Sequence, residues 1–299
     1  MLKRPIILLT FILTASVSFS QRMMHSELLG SIEDHSVNLK LMFADSAEVQ
    51  VSYGTAPGSY TTQLPWQLFA DSAMASLVLN GLLPNTQYYY RVSHRIPGSA
   101  NVQQRPEYTF HTARPAGNSF SFVIQADPHM DNQTDTAIFN RCLLNQLEDR
   151  PDFMIDLGDN VMTDKLTNSA RVVTRDTIIY RTELLRSYYE KTCHSVPLFI
   201  TLGNHEGELG WLNNGTANCV PVWNTLERKK YFANPYPDNF FSSDTTNYPF
   251  VGQRTSYYSW TWGDALFVVL DPYWHTSPKP DSLHGWYWTL GQRQYDWLR

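Results

Sequence analysis

FSFVIQADPHM at Phe120–Met130, DFMIDLGDN at Asp152–Asn160 and VPLFITLGNHE at Val196–Glu206 share one pattern: a short apolar run that breaks into polar side chains. The runs are rich in Phe, Val, Ile and Leu, which predicts strands buried on both faces, as in a parallel sheet. Parallel strands carry ligand-binding groups at their carboxyl ends. Three such ends in one sheet would bring Asp127, His129, Asp159, Asn204 and His205 to a common crevice. Oxygen and imidazole donors of this kind suit first-row metals such as iron, manganese and zinc. Gly158 and Gly203 are expected to permit the tight turns that aim these side chains.

Taken in order, D-x-H (Asp127–His129), G-D-N (Gly158–Asn160) and G-N-H-E (Gly203–Glu206) resemble the motifs of the calcineurin-like metallophosphoesterase superfamily. The resemblance implies a metal-dependent hydrolase of phosphate esters with two metal ions. Asp127 and His129 would bind the first ion, Asp159 would bridge the pair, and Asn204 would bind the second. In such a site a metal-activated hydroxide attacks phosphorus. His205 would assist the leaving oxygen, with Glu206 holding its ring. His275, after a further apolar stretch, is a candidate substrate contact.

Upstream, from about Met24 to Ala113, short alternating stretches such as Val37–Phe43, Val49–Tyr53, Ser76–Leu79, Tyr88–Ser93 and Tyr108–Thr112 predict a β-sandwich. Leu83–Tyr88 resembles the tyrosine corner of a fibronectin type III-like module, which implies a Tyr88 hydroxyl bonded to backbone. Residues 114–117 read as a linker, and 118–299 as an α/β domain with a mostly buried sheet and helices near Thr134–Leu147 and Ile178–Tyr189. Gly207–Phe250 reads as a long loop. Ser256–Trp262 and Ala265–Asp271, joined by Gly263-Asp264, predict a hairpin.

A fibronectin-like module before a phosphoesterase domain resembles purple acid phosphatases and their bacterial relatives. Two positions depart from them. Asp127-Pro128-His129 stands in place of D-x-G, and Met162 occupies the tyrosinate position, so the iron–tyrosinate colour is expected to be absent. The resemblance also calls for an isolated His and a late G-H-x-H. Nothing after Glu206 matches G-H-x-H, and Gln294–Arg299 reads as the opening of a helix. The chain is therefore read as the N-terminal part of a longer enzyme, truncated before the second half-sheet and binding metal weakly.

Residues 1–20 combine Lys3 and Arg4 with an apolar stretch and small residues before Gln21, a secretory signal that places the protein outside the cytoplasm, secreted or periplasmic. No later segment could span a bilayer. The formal net charge is −5 and no basic run occurs, which argues against nucleic acid as partner. The resemblance implies a phosphorylated small molecule instead, whose charge a bound metal pair would meet. Cys193 and Cys219 flank the third motif and could pair, although sequence alone does not give connectivity, and Cys142 reads as a buried helix residue. Two other classes stand beside the hydrolase: a non-catalytic secreted binding protein with a degenerate phosphoesterase domain, and a metal-dependent nuclease.

Overall fold

Alternation in the first hundred residues produces the expected sandwich. The computed structural model describes residues 21–131, 133–165, 172–277 and 289–299, and the leader read at residues 1–20 lies outside them. Eight strands come first: β1 Met23–Gly30, β2 Val37–Phe43, β3 Ala47–Gly54, β4 Thr62–Gln63, β5 Gln67–Phe69, β6 Met74–Leu79, β7 Gln87–Arg95 and β8 Gln103–His111. One sheet has the order β4-β3-β7-β8 with β5 also on β3, and the facing layer is β6-β2-β1. Leu39, Leu41, Val49, Val51, Leu77 and Tyr90 point inward and are fully or almost fully buried. The corner is present: the Leu83 amide donates to the Tyr88 hydroxyl at 2.9 Å.

The second part supplies β9 Phe122–Gln125, α1 Thr136–Glu148, β10 Phe153–Asp156, α2 Arg175–Cys193, β11 Leu198–Ile200, α3 Val220–Tyr231, β12 Ser242–Ser243, β13 Tyr258–Trp262, β14 Ala265–Val269 and α4 Gln292–Leu298. The three motif-bearing strands are parallel, with β10 between β9 and β11. Asp135 caps α1 through the amides of Ala137 and Ile138, and Thr174 with Thr177 forms a capping box on α2. Leu143, Leu185 and Tyr189 from α1 and α2 pack with Met154, Leu198 and Ile200 on one sheet face. The β13–β14 hairpin covers the other, where the Phe153 and Trp262 rings lie 4.9 Å apart and Phe199 stacks on Trp260 at 4.3 Å. Tyr258, Trp260 and Trp262 are thus core residues.

Four features differ from the sequence reading. Gly207–Phe250 contains a helix, α3, begun by Pro221 in its first turn. The linker at residues 114–117 does not separate two sheets: β1 pairs in parallel with β11 at Gly30 and Leu198, so one mixed sheet runs β6-β2-β1-β11-β10-β9. A side chain at Gly30 would meet the Ala233 carbonyl at 2.7 Å, so this junction needs glycine. Cys193 and Cys219 are free thiols, and Cys142 lies on the exposed side of α1. Among the described residues no helix is long and apolar enough to cross a membrane.

Candidate metal centre

Each of β9, β10 and β11 releases its chain into a turn at the same edge of the sheet. Asp127, His129 and Asp159 all take left-handed backbone conformations, with φ of 57°, 52° and 53°. Such conformations cost about 1–3 kcal/mol each outside glycine and persist where surrounding structure enforces them. Here the Asp127 amide donates to the Gly158 carbonyl at 3.0 Å, and the His129 amide to the Asp159 carbonyl at 3.1 Å. The first two loops are thereby locked together.

The second and third loops interlock through their glycines. Gly158 has φ 92°, and a Cβ there would lie 2.1 Å from the Gly203 nitrogen. A Cβ on Gly203 would lie 2.1 Å from Asp159 Oδ1. Both expected turn glycines are therefore sterically required.

Asp127, His129 and Asp159 present ligand atoms within 4.8 Å of one another. His129 Nε2 is 3.4 Å from Asp127 Oδ1 and 3.9 Å from Asp159 Oδ2. That nitrogen is buried and has no hydrogen-bond partner, which fits a lone pair kept for a metal. Asp159 divides its oxygens, since Oδ1 accepts from the His205 amide at 2.9 Å while Oδ2 turns towards His129. The donors present thus fit the metal ions that the motifs imply.

His205 lies beside this cluster, its ring centroid 5.8 Å from that of His129. Its Nδ1 bonds Asp164 Oδ1 at 2.7 Å. The orienting carboxylate is therefore Asp164, not Glu206. Glu206 turns inward and accepts the amides of Asn160 and Gly203, both at 2.5 Å, clamping the second loop to the third. Burial pushes the Glu206 carboxyl up to about 8 despite hydrogen bonds from backbone amides of Asn160 and Asp159. Asn204 is exposed at the tip of its turn, next to His205. His275 does not join the cluster; it packs against Gly291, where a Cβ would lie 2.5 Å from its ring.

Beneath the loops lies a polar layer that the motifs do not announce. Asp156 is fully buried at the end of β10 and accepts from the Gly158 amide and the Asn160 side chain. Tyr189 of α2 donates to Asn160 Oδ1 at 2.7 Å and accepts from Gln125 at 2.6 Å. Burial raises the Asp156 carboxyl to about 7 against these hydrogen bonds. Beyond Glu206, buried Glu208 pairs with Arg228 and Arg254, and Arg254 also pairs with Asp271 after β14. Tyr273 follows, its phenol raised by burial and by the charges of Asp159, Glu206 and Asp271. Only Asp164 carried a sequence signal, an acidic residue in the loop that also holds Asp159.

The model of the Calcineurin-like phosphoesterase family matches residues 120–298, covering all three motif strands and the hairpin. The chain belongs to the calcineurin-like phosphoesterase family. Membership in this family implies divalent metal ions. No curated protein sequence matches the chain. Among solved structures the chain resembles PhoD, with a TM-score of 0.64 at 17% identity over 95% of the present chain and 60% of the PhoD chain. It also resembles a purple acid phosphatase, PPD1, isolated from yellow lupin (Lupinus luteus) seeds, with a TM-score of 0.57 at 15% identity over 81% of the present chain and 43% of the lupin chain. At these identities the likeness is one of fold, and the chain spans under two thirds of either structure's length.

Proposed function

We infer that this phosphoesterase is an exported hydrolase of phosphate esters of small molecules, working with a pair of metal ions. The observation that carries this reading is the convergence of Asp127, Asp159 and the unpartnered His129 Nε2 on one crevice. Metal bound there would supply an activated water and polarise the phosphoryl oxygens. Asp127, His129 and Asp159 would hold it, with the Asn204 amide as a further oxygen donor that adds no charge. His205, fixed at Nδ1 by Asp164, keeps Nε2 for the leaving-group proton. Secretion follows from the leader at residues 1–20, and an exported product beginning at Gln21 would support it.

The test uses the whole chain with a monoester and a diester of p-nitrophenol, each with manganese, zinc or iron. Turnover of either ester, lost in Asp159→Ala with an unchanged circular dichroism spectrum, is the expected result. Equal turnover by wild type and Asp159→Ala would remove the crevice from the chemistry. Metal binding without turnover of either ester would instead favour the non-catalytic binding protein.

A further inference from the structure

A second polar cavity lies where the sandwich meets α3. Asn38 and Lys40 on β2 and Ser76 on β6 share the sheet face turned away from the sandwich core, with Lys40 directly opposite Ser76. Between them, the end of α3 and the segment after it lies a cavity of about 180 Å³. Lys40 is 8% exposed. Its ammonium donates to the carbonyls of Lys229 at 2.6 Å and Lys230 at 2.9 Å, which leaves one of three N–H groups unused. The Lys229 ammonium donates to Val251 and Gln253 carbonyls at 2.6 and 2.7 Å and likewise keeps one.

Neither ammonium forms an ion pair with a described carboxylate, and the charges acting on Lys40 are those of Arg186 and Lys229, both positive. Burial and these like charges push the Lys40 amine down to about 7. Asn38, Ser76 and Tyr236 also line the cavity, and their side chains make no hydrogen bond to another described residue. The lining carries two ammonium groups and no carboxylate, Glu208 being the one carboxylate whose charge acts on Lys229, so an anion entering here would meet free N–H groups and no repelling charge on the lining.

We propose that this cavity binds a small tetrahedral oxyanion, inorganic phosphate or sulfate, between Lys40, Lys229, Ser76, Asn38 and Tyr236. Capping of the α3 C-terminus accounts for two N–H groups of Lys40. It does not account for the second ammonium beside it, which lies 5.8 Å from the centre of the Tyr236 ring, or for the Asn38 and Ser76 side chains, which bond no described residue. The volume excludes a nucleotide, since pockets for larger ligands run to roughly 300–1,000 Å³. Asn234, on the same wall, bonds both the amide and the carbonyl of Ile200 at 3.2 and 3.0 Å. Ile200 ends β11, the strand that leads into Asn204 and His205, so an anion here braces the strand behind the metal centre.

The experiment is calorimetric titration of sodium phosphate, and separately sodium sulfate, into the whole chain, with amide chemical shifts followed in parallel. One site is expected, with shifts at Asn38, Ser76 and Asn234. Lys229→Gln and Tyr236→Phe, both at the cavity mouth, should fold normally, and Lys229→Gln should weaken binding at least about tenfold, the order of one lost charge-assisted hydrogen bond. Lys40→Met should abolish it. In Asp159→Ala binding should persist, which separates this cavity from the crevice. The proposal is overturned if Lys229→Gln leaves the isotherm unchanged, if Asp159→Ala abolishes it, or if neither anion binds. A sulfate response equal to that of phosphate indicates a general oxyanion site; response to phosphate alone assigns the site to phosphate.

Discussion

Gly158 and Gly203 face each other so closely that neither can carry a methyl group without displacing the Asp159 turn. Gly203→Ala should therefore remove metal binding while leaving the sandwich intact, and Gly158→Ala adds a left-handed strain of about 1–3 kcal/mol. Isothermal metal titration of both variants checks this, and an alanine variant with wild-type affinity would refute the steric argument. Asp164→Asn weakens the partner that orients His205, and should lower kcat by roughly 10–100-fold. If KM alone changes, Asp164 serves the substrate and not the ring. The motif residues were legible because strand ends in Asp, His and Asn read clearly against apolar runs. Glu206 was misread for a physical reason: adjacency in sequence to His205 says nothing of direction, and the turn sends its carboxylate inward to two amides.

Among elements, the polar links between loops decide how the third motif loop is held. Burial alone would raise the Glu208 carboxyl, but Arg228 and Arg254 outweigh it and hold it down at about 2. A depressed carboxyl contributes stability that is fully present above its unfolded value of 4.5 and is lost as pH falls through about 2. Acid titration of folding should show this loss between those limits, and Glu208→Gln should flatten it. Arg254→Met removes the one cation paired with buried Asp271 and one of the two paired with Glu208, at an expected cost of about 3–5 kcal/mol in urea unfolding. A loss below roughly 1 kcal/mol would mean the site relaxes or hydrates. None of this network is readable in the sequence, because its members lie up to 63 positions from one another (Glu208 to Asp271) and become neighbours only through the fold. Helix α3 was hidden differently. Asn, Gly and Pro on both sides of it suggested a loop, whereas Pro221 is a helix-start residue and Val222, Thr225 and Tyr231 are buried.

For the whole molecule, the sequence separated two modules at residues 114–117, and their internal patterns were correct at the level of fold. What no local pattern carries is the pairing of β1 with β11, since strand partners are chosen by three-dimensional packing. Arg186 of α2 strengthens the union from within, donating to the carbonyls of Ser26 and Lys40 at 2.6 and 3.0 Å while bonding Glu190. Differential scanning calorimetry of the whole chain should then give one cooperative transition, with calorimetric and van't Hoff enthalpies in agreement. Two resolved transitions would show that the sandwich melts independently.

The join at Gly30 and Leu198 also gives the molecule a mechanical axis. A pull on the sandwich is transmitted along β1 and loads the parallel join with β11 in shear, and β11 runs straight into the turn that carries Asn204 and His205. Tension applied through the N-terminal module would therefore load the strand that leads to the metal-binding edge.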